Sequence, residues 1–178
     1  MSQRETGSDT VSYLTALRGA LRQSPDVILL GEMRDYETIT VAMTAAETGH
    51  LLFSSLHTVG AANTVDRILD VFPPNQQHQI AVQLAMVLQA VVSQQLLPTV
   101  DGGLMPAFEV MAVNPAIRNM IRENKIHQID TVIAASAEEG MVSMDASILN
   151  LYRAGRISDR TALTYAANPD LLAKKMKQ

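Results

Sequence analysis

Asp26-Val-Ile-Leu-Leu-Gly-Glu-Met-Arg-Asp35 decides how this chain is read. From Val27 to Gly31 the run is apolar or glycine with no polar alternation, the pattern of a strand buried on both faces of a parallel sheet. Ser24-Pro25 stops whatever element comes before it. Glu32, Arg34 and Asp35 follow at once, and Tyr36-Glu-Thr-Ile-Thr-Val-Ala-Met-Thr-Ala-Ala-Glu47 then carries a helical pattern. An apolar strand that delivers an acid at its carboxyl end, ahead of a helix, puts that acid in the crevice where open α/β sheets bind ligands. In nucleotide-hydrolysing folds an acid so placed holds Mg²⁺ or orients an attacking water. Glu32 is therefore the first candidate, and its plainer alternative is a strand-end acid paired with Arg34.

Upstream, residues 1–10 are polar and read as a loop entering a helix that Asp9 or Thr10 caps. Tyr13, Leu14, Leu17 and Leu21 predict an amphipathic helix over 11–23, on which Arg18 and Arg22 share a face. That pair is either a solvated basic stripe or a set of phosphate- or subunit-contacting arginines. Downstream, Thr48-Gly49 suits a helix end, and Leu51-Leu-Phe-Ser-Ser-Leu56 a second buried strand bracketed by His50 and His57. In a fully extended strand the histidines stand roughly 23 Å apart, too far to ligate one metal ion. His57, at the carboxyl end, shares the rim of Glu32 if the strands are parallel. The alternative for His57 is a satisfied polar residue at a strand end. His50 reads as structural, hydrogen-bonded near the helix-to-strand turn.

Helical spacing continues over 60–72, up to Pro73-Pro74, and over 75–91, with Ile80, Leu84, Val87, Leu88 and Val91 on one face. Val91–Leu97 and Ala107–Ala112 read as strands of an edge hairpin around a turn-rich 98–106. Beyond Asn114-Pro115 every pattern is helical, at about 115–123, 125–136, 145–153, 159–166 and 169–176. The expected organisation is α/β: a sheet core with helices over 1–113, then a small all-helical domain over 114–178. Arg118 and Arg122 again share a helix face, which by spacing alone is a solvated one.

The chain of 178 residues is 47% hydrophobic and 18% charged, enough for a buried core and not the composition of a disordered chain. A net charge of −4 gives no general pull toward nucleic acid or anionic lipid. The absence of cysteine removes disulfides and thiolate metal sites, and fits a cytoplasmic protein. No run approaches the roughly 18 apolar residues of a membrane span, and Met1-Ser-Gln-Arg-Glu5 is too polar for a signal peptide.

Several motifs in one order carry a resemblance. Arg18 and Arg22 before Ser24-Pro-Asp26, Leu30-Gly-Glu-Met-Arg-Asp35, Thr48-Gly-His50 with Leu56-His-Thr58, and Asp66-Arg-Ile-Leu-Asp-Val-Phe-Pro73 together resemble the twitching-motility (PilT-type) retraction ATPases of the type II/IV secretion superfamily. The similarity runs through Ala116-Ile-Arg118 into the helical tail. It implies a RecA-like core in a ring hexamer that spends ATP with Mg²⁺ on pilus disassembly. It also implies a cytoplasmic location peripheral to the inner membrane, a pilus platform protein as partner, and no nucleic acid. By position, Leu30-Gly31-Glu32 resembles a Walker B motif with Gly for the usual Asp and a catalytic Glu. The segment from His50 to His57 resembles the histidine box. Arg18 and Arg22 resemble arginines that reach nucleotide phosphates, and Gln3-Arg4-Glu5 resembles the segment after an acidic box. Ala116, Ile117 and Arg118 resemble the start of a helical motif tied to retraction. The implied catalytic set is Glu32, His57, Arg18 and Arg22; the nucleotide set is Gly31, Glu32, His57 and Arg4, with no dedicated metal site.

The chain departs from that pattern in having no G-x-x-x-x-G-K-[ST]. Such a loop wraps phosphate in backbone N–H groups and adds a lysine charge. The expectation is therefore the carboxyl-terminal portion of such an ATPase, inactive in isolation and sticky where sheet neighbours are missing. The alternative is a non-hydrolysing interaction module of the same machinery.

Overall fold

The computed structural model describes residues 2–178, and its elements fall into two compact units, residues 2–57 with 67–88 and residues 58–66 with 89–178. In the first unit, helix α1 (Tyr13–Ala20) passes through a 3₁₀ turn (Leu21–Gln23) to strand β1 (Val27–Leu30). Helix α2 (Tyr36–Glu47) and strand β2 (Leu51–Ser54) follow. β1 and β2 pair in parallel, from Val27 opposite Leu51 to Leu30 opposite Ser54. The cap of α1 is Ser12, whose hydroxyl accepts from the Thr15 N–H, and neither Asp9 nor Thr10 takes that place. The Asp9 carboxylate instead accepts from the Glu5 N–H at 3.0 Å, closing the preceding loop on itself.

One expectation is corrected here. β1 is buried on one face only: Ile28 and Leu30 pack with Leu17, Ala42 and Ala45, whereas Val27 and Leu29 are 55% and 80% exposed. Leu51 and Phe53 of β2 are likewise half exposed. Among the described residues nothing covers that second face, so the apolar run that predicted double burial is an uncovered strip. α2 starts on Asp35, whose carboxylate accepts from the Thr38 N–H at 2.8 Å. It ends before Gly49, whose φ of +93° is a conformation that glycine takes without strain.

Helix α3 (Ala61–Asp70) carries the chain from the second unit back into the first, which helix α4 (Pro74–Val87) completes. Phe72, between them, meets Tyr36 edge-to-face at 6.2 Å. The helix expected over 75–91 stops at Val87 because Leu88 is extended (ψ 128°), and Val91 belongs to a strand. Pairing overrides helical spacing at this point: β3 (Ala90–Pro98) and β4 (Leu104–Ala112) form an antiparallel ladder from Ala90–Ala112 to Pro98–Leu104. The strands run further than the prolines suggested, with Pro106 paired opposite Leu96. A two-stranded ribbon has two edges, and a proline whose missing N–H would face outward costs no ladder bond.

The rest of the second unit is helical: α5 (Pro115–Arg122), α6 (Ile129–Ala135), α7 (Met144–Arg153), α8 (Asp159–Tyr165) and α9 (Pro169–Met176). Leu97 and Ala107 of the hairpin are buried in one cluster with Ile148, Leu149, Ala162 and Leu172. Packing therefore groups the hairpin with the tail, whereas the motifs of the sequence placed a boundary at 113/114.

Candidate functional site

Glu32 leaves the carboxyl end of β1 and is held there by the segment that leaves β2. The Ser55 hydroxyl donates to the Gly31 carbonyl at 2.6 Å, and the Met33 N–H donates to the Ser55 carbonyl at 3.1 Å. The two bonds clamp the backbone on either side of Glu32 by continuing the parallel pairing one step past the strands. Gly31 itself does not need to be glycine for space, since an added Cβ would first meet the Tyr13 hydroxyl at 3.6 Å.

The Glu32 carboxylate has two partners. One oxygen pairs with the Arg34 guanidinium; the other lies 3.2 Å from His57 Nε2. The Glu32 side chain is 15% exposed, against 73% for Arg34 and 89% for His57, so a sheltered acid sits under two solvent-facing bases. The hydrogen bond from Arg34 is the main reason that the Glu32 carboxyl lies below the usual carboxylate range, with the charges of Arg34 and His57 adding to it against desolvation. The same bond raises Arg34. The geometry thus shows both the pairing of Glu32 with Arg34 and a rim that Glu32 shares with His57.

The other candidates are placed elsewhere. Arg18 and Arg22 are exposed, and among the described residues no ion pair joins either to Glu32 or His57. Arg4 donates to the Ala16 carbonyl of α1 at 3.5 Å. His50 Nδ1 lies 3.1 Å from both the Ala45 carbonyl and the Thr48 hydroxyl, at the turn from α2 to β2. In α5, Ala116 is exposed, Ile117 is fully buried, and Arg118 donates to Gln89 Oε1 at 3.3 Å. Ile117 can act on a partner only through its helix. Asp35 is engaged as the α2 cap. An open groove lined by Thr6, Tyr13, Asp35, Tyr36, Glu37 and Thr38 does not include Glu32 or His57, which stand on an open rim.

Sequence reading missed Ser55 and Met33, which fix the turn, and Ser54, whose Oγ is buried at the end of β2 and has no hydrogen-bond partner among the described residues. A Ser-Ser pair between an apolar strand and a histidine was the available signal. As a Mg²⁺ or nucleotide site the set is partial. Among the described residues no group of three or more His, Cys, Asp or Glu side chains could hold a metal. Mg²⁺ is usually held by one or two carboxylates together with phosphate oxygens and water. Glu32 fits one such position, or that of a water-orienting base, only where phosphate is held by other groups.

Comparison with known proteins places this arrangement. A model of the type II/IV secretion system protein family matches residues 5–123. A twitching motility protein of Neisseria gonorrhoeae is 50% identical over 174 residues, 97% of this chain and 46% of the relative. The type IV pilus retraction ATPase PilT of Pseudomonas aeruginosa is 46% identical over 170 residues, 96% of this chain and 49% of the relative. The crystal structure of the pilus retraction motor PilT with bound ADP aligns with a TM-score of 0.87 at 45% identity, over 97% of this chain and 49% of that one. The expected partial RecA-like core with a helical part is thus the observed fold, and the chain spans about half the length of the relatives it matches. Matched by the family model over residues 5–123 and aligned over 97% of its own length with about half of PilT, this chain belongs to the type II/IV secretion system protein family, in its PilT-type branch.

Proposed function

We propose that this chain is the Walker B and histidine-box portion of a motor ATPase that hydrolyses ATP to drive type IV pilus retraction. The observation that carries the reading is the Glu32–His57 contact at the carboxyl ends of two parallel strands, where α/β sheets place their ligands. Glu32, kept ionised by Arg34, polarises or deprotonates the attacking water, and His57 meets the γ-phosphate. The exposure of Arg18 and Arg22 supports a role as arginine fingers toward the nucleotide of a neighbouring subunit. Gly31 and Arg4 belong to the nucleotide surroundings, and Glu32 would be the carboxylate available to a Mg²⁺ ion, which would neutralise phosphate charge. The working form is a homo-oligomer, a hexameric ring, peripheral to the inner membrane through a pilus platform protein. No described helix is long and apolar enough to cross a membrane itself. Ala116 and Arg118 present the retraction motif of α5 from above a buried Ile117. In this reading residues 1–113 serve the ATPase core and 114–178 the partner.

The test is a fusion of the upstream half of the Pseudomonas relative to this chain. It should hydrolyse Mg·ATP, and Glu32→Gln should lower turnover by about a hundredfold or more, the usual contribution of a general base. Undiminished turnover in that variant overturns the assignment. A second reading, a non-hydrolysing module that docks on complete subunits, is favoured for the chain alone by the lack of a P-loop in its 178 residues. On its own the chain should show negligible Mg·ATP turnover. A motor-like rate abolished by Glu32→Ala would refute that.

A further inference from the structure

Glu109 is a carboxylate on the inward face of β4, 6% exposed between the fully buried Ala107 and Met111. Among the described residues it is in no ion pair. Its oxygens accept instead from two backbone N–H groups far apart in sequence, Ala61 at 2.7 Å through Oε1 and Met144 at 3.1 Å through Oε2. Ala61 opens α3 and Met144 opens α7, so both donors are orphans of a helix start, where the backbone also presents partial positive charge. Next to Ala61, the Gly60 N–H donates to the Ser93 hydroxyl at 2.8 Å, and Gly60 itself sits at φ +93°. The Thr64 hydroxyl donates to the Gly60 carbonyl at 2.8 Å and lies as close to the Thr58 hydroxyl. Every polar group of the 58–61 turn named here is thus held within its own unit.

α7 does not require this carboxylate to be capped, since Ser143 already accepts from the Ala146 N–H at 3.3 Å. What a shared carboxylate adds, beyond what a separate cap at each helix would, is dependence of one helix start on the other. If either donor leaves, the charge loses half of its compensation and the side chain loses the anchor that aims its other oxygen. We infer that Glu109 is a positioning residue that couples the start of α3, and so the turn that follows His57 in the chain, to the start of α7 in the helical tail. A displacement of α7 then reaches the turn without passing through α5 or α6. That His57, the residue before this turn in the chain, serves nucleotide hydrolysis rests on the function proposed above. The coupling itself does not, and its test contains no nucleotide, so the two readings fail separately.

The test compares Met144→Pro with Met144→Ala in the 178-residue chain. Both variants lose the buried thioether side chain, and only the proline also loses the N–H. Proline suits the first helical position, and Ser143 before it is already extended at φ −75° and ψ 152°. By amide exchange followed in NMR, Ala61 should exchange on the order of tenfold faster in Met144→Pro than in Met144→Ala, as for loss of support to a charge-assisted bond. Amides of α9 should exchange equally in the two. Equal Ala61 rates in the two variants overturn the coupling, as does an acceleration of the same size in α9. If the variants fail to fold, the unaltered chain decides: scalar couplings across both hydrogen bonds, from the Ala61 and Met144 nitrogens to the Glu109 carboxyl carbon, are expected, and absence of either overturns it.

Discussion

Glu32 divides its carboxylate between a base from its own turn, Arg34, and a base from the end of the neighbouring strand, His57. Because Arg34 holds the carboxyl below its ordinary range, the group is ionised throughout the neutral region. The sign of its pH dependence follows: the stabilisation is present above the unfolded-state value and is lost as pH falls through the lower folded-state value. In Arg34→Ala the Glu32 midpoint should rise toward the ordinary value of about 4.3, read from its carboxyl carbon shift in an NMR titration. An unmoved midpoint would assign the shift to other groups. Asp130 behaves oppositely, raised first by desolvation and then by the charges of Glu109 and Asp145. Its ionised form is disfavoured in the fold, so the penalty exists above the folded-state value and vanishes as pH falls below the unfolded one. Asp130 is nonetheless exposed in the first turn of α6, where a helix start favours a carboxylate, so Asp130→Asn should move stability at neutral pH by less than about 1 kcal/mol in denaturant titrations. Glu32 and His57 were legible because each ends an apolar run, whereas Ser55 acts across 24 positions and no local pattern announces that. Glu109 left a trace, an acid at an inward position of an otherwise apolar strand, but its donors come from 48 and 35 residues away.

At the scale of elements, the helices of the tail follow their caps closely. Asn114, Ser143, Ser158 and Asn168 each accept from an N–H of the helix they open, and short polar residues before an apolar period are visible in sequence. α5 is held by Ile117 and Ile121, both fully buried. Ile117→Ala should cost about 2–5 kcal/mol, measurable as a lower denaturant midpoint, because the cavity cannot close under a helix fixed at both ends. An unchanged midpoint would show that the Ile117 side chain contributes no packing to the fold. The end of α4 was not legible, because Val87, Leu88 and Val91 suit either a helix or a strand. The ladder between β3 and β4 decides between them.

At the scale of the whole molecule, each unit leaves an apolar face open. In the first unit Val27, Leu29, Leu51 and Phe53 form a strip on the parallel pair, and in the second Val92, Leu96, Leu104 and Phe108 line the outer face of the hairpin. Two-stranded sheets are marginal alone, and contiguous exposed apolar surface favours association. We expect a mass in light scattering that grows with concentration, and a smaller growth in Leu29→Lys with Phe53→Lys. Their unfolding midpoints should stay within about 0.5 kcal/mol of the parent for each exposed site. A monodisperse monomer at high concentration would contradict this. The order of elements, the parallel pairing implied by strand, helix and strand, the acid at a strand end and the family were all determined by the sequence alone, because they rest on local periodicity and on motifs read in order. Which face of β1 is covered, where α4 yields to β3, that the hairpin packs with the tail, and that one buried carboxylate serves two helix starts were decided only by the tertiary structure. Each of these depends on contacts between residues dozens of positions apart, and solvent exposure is a property of the packed chain.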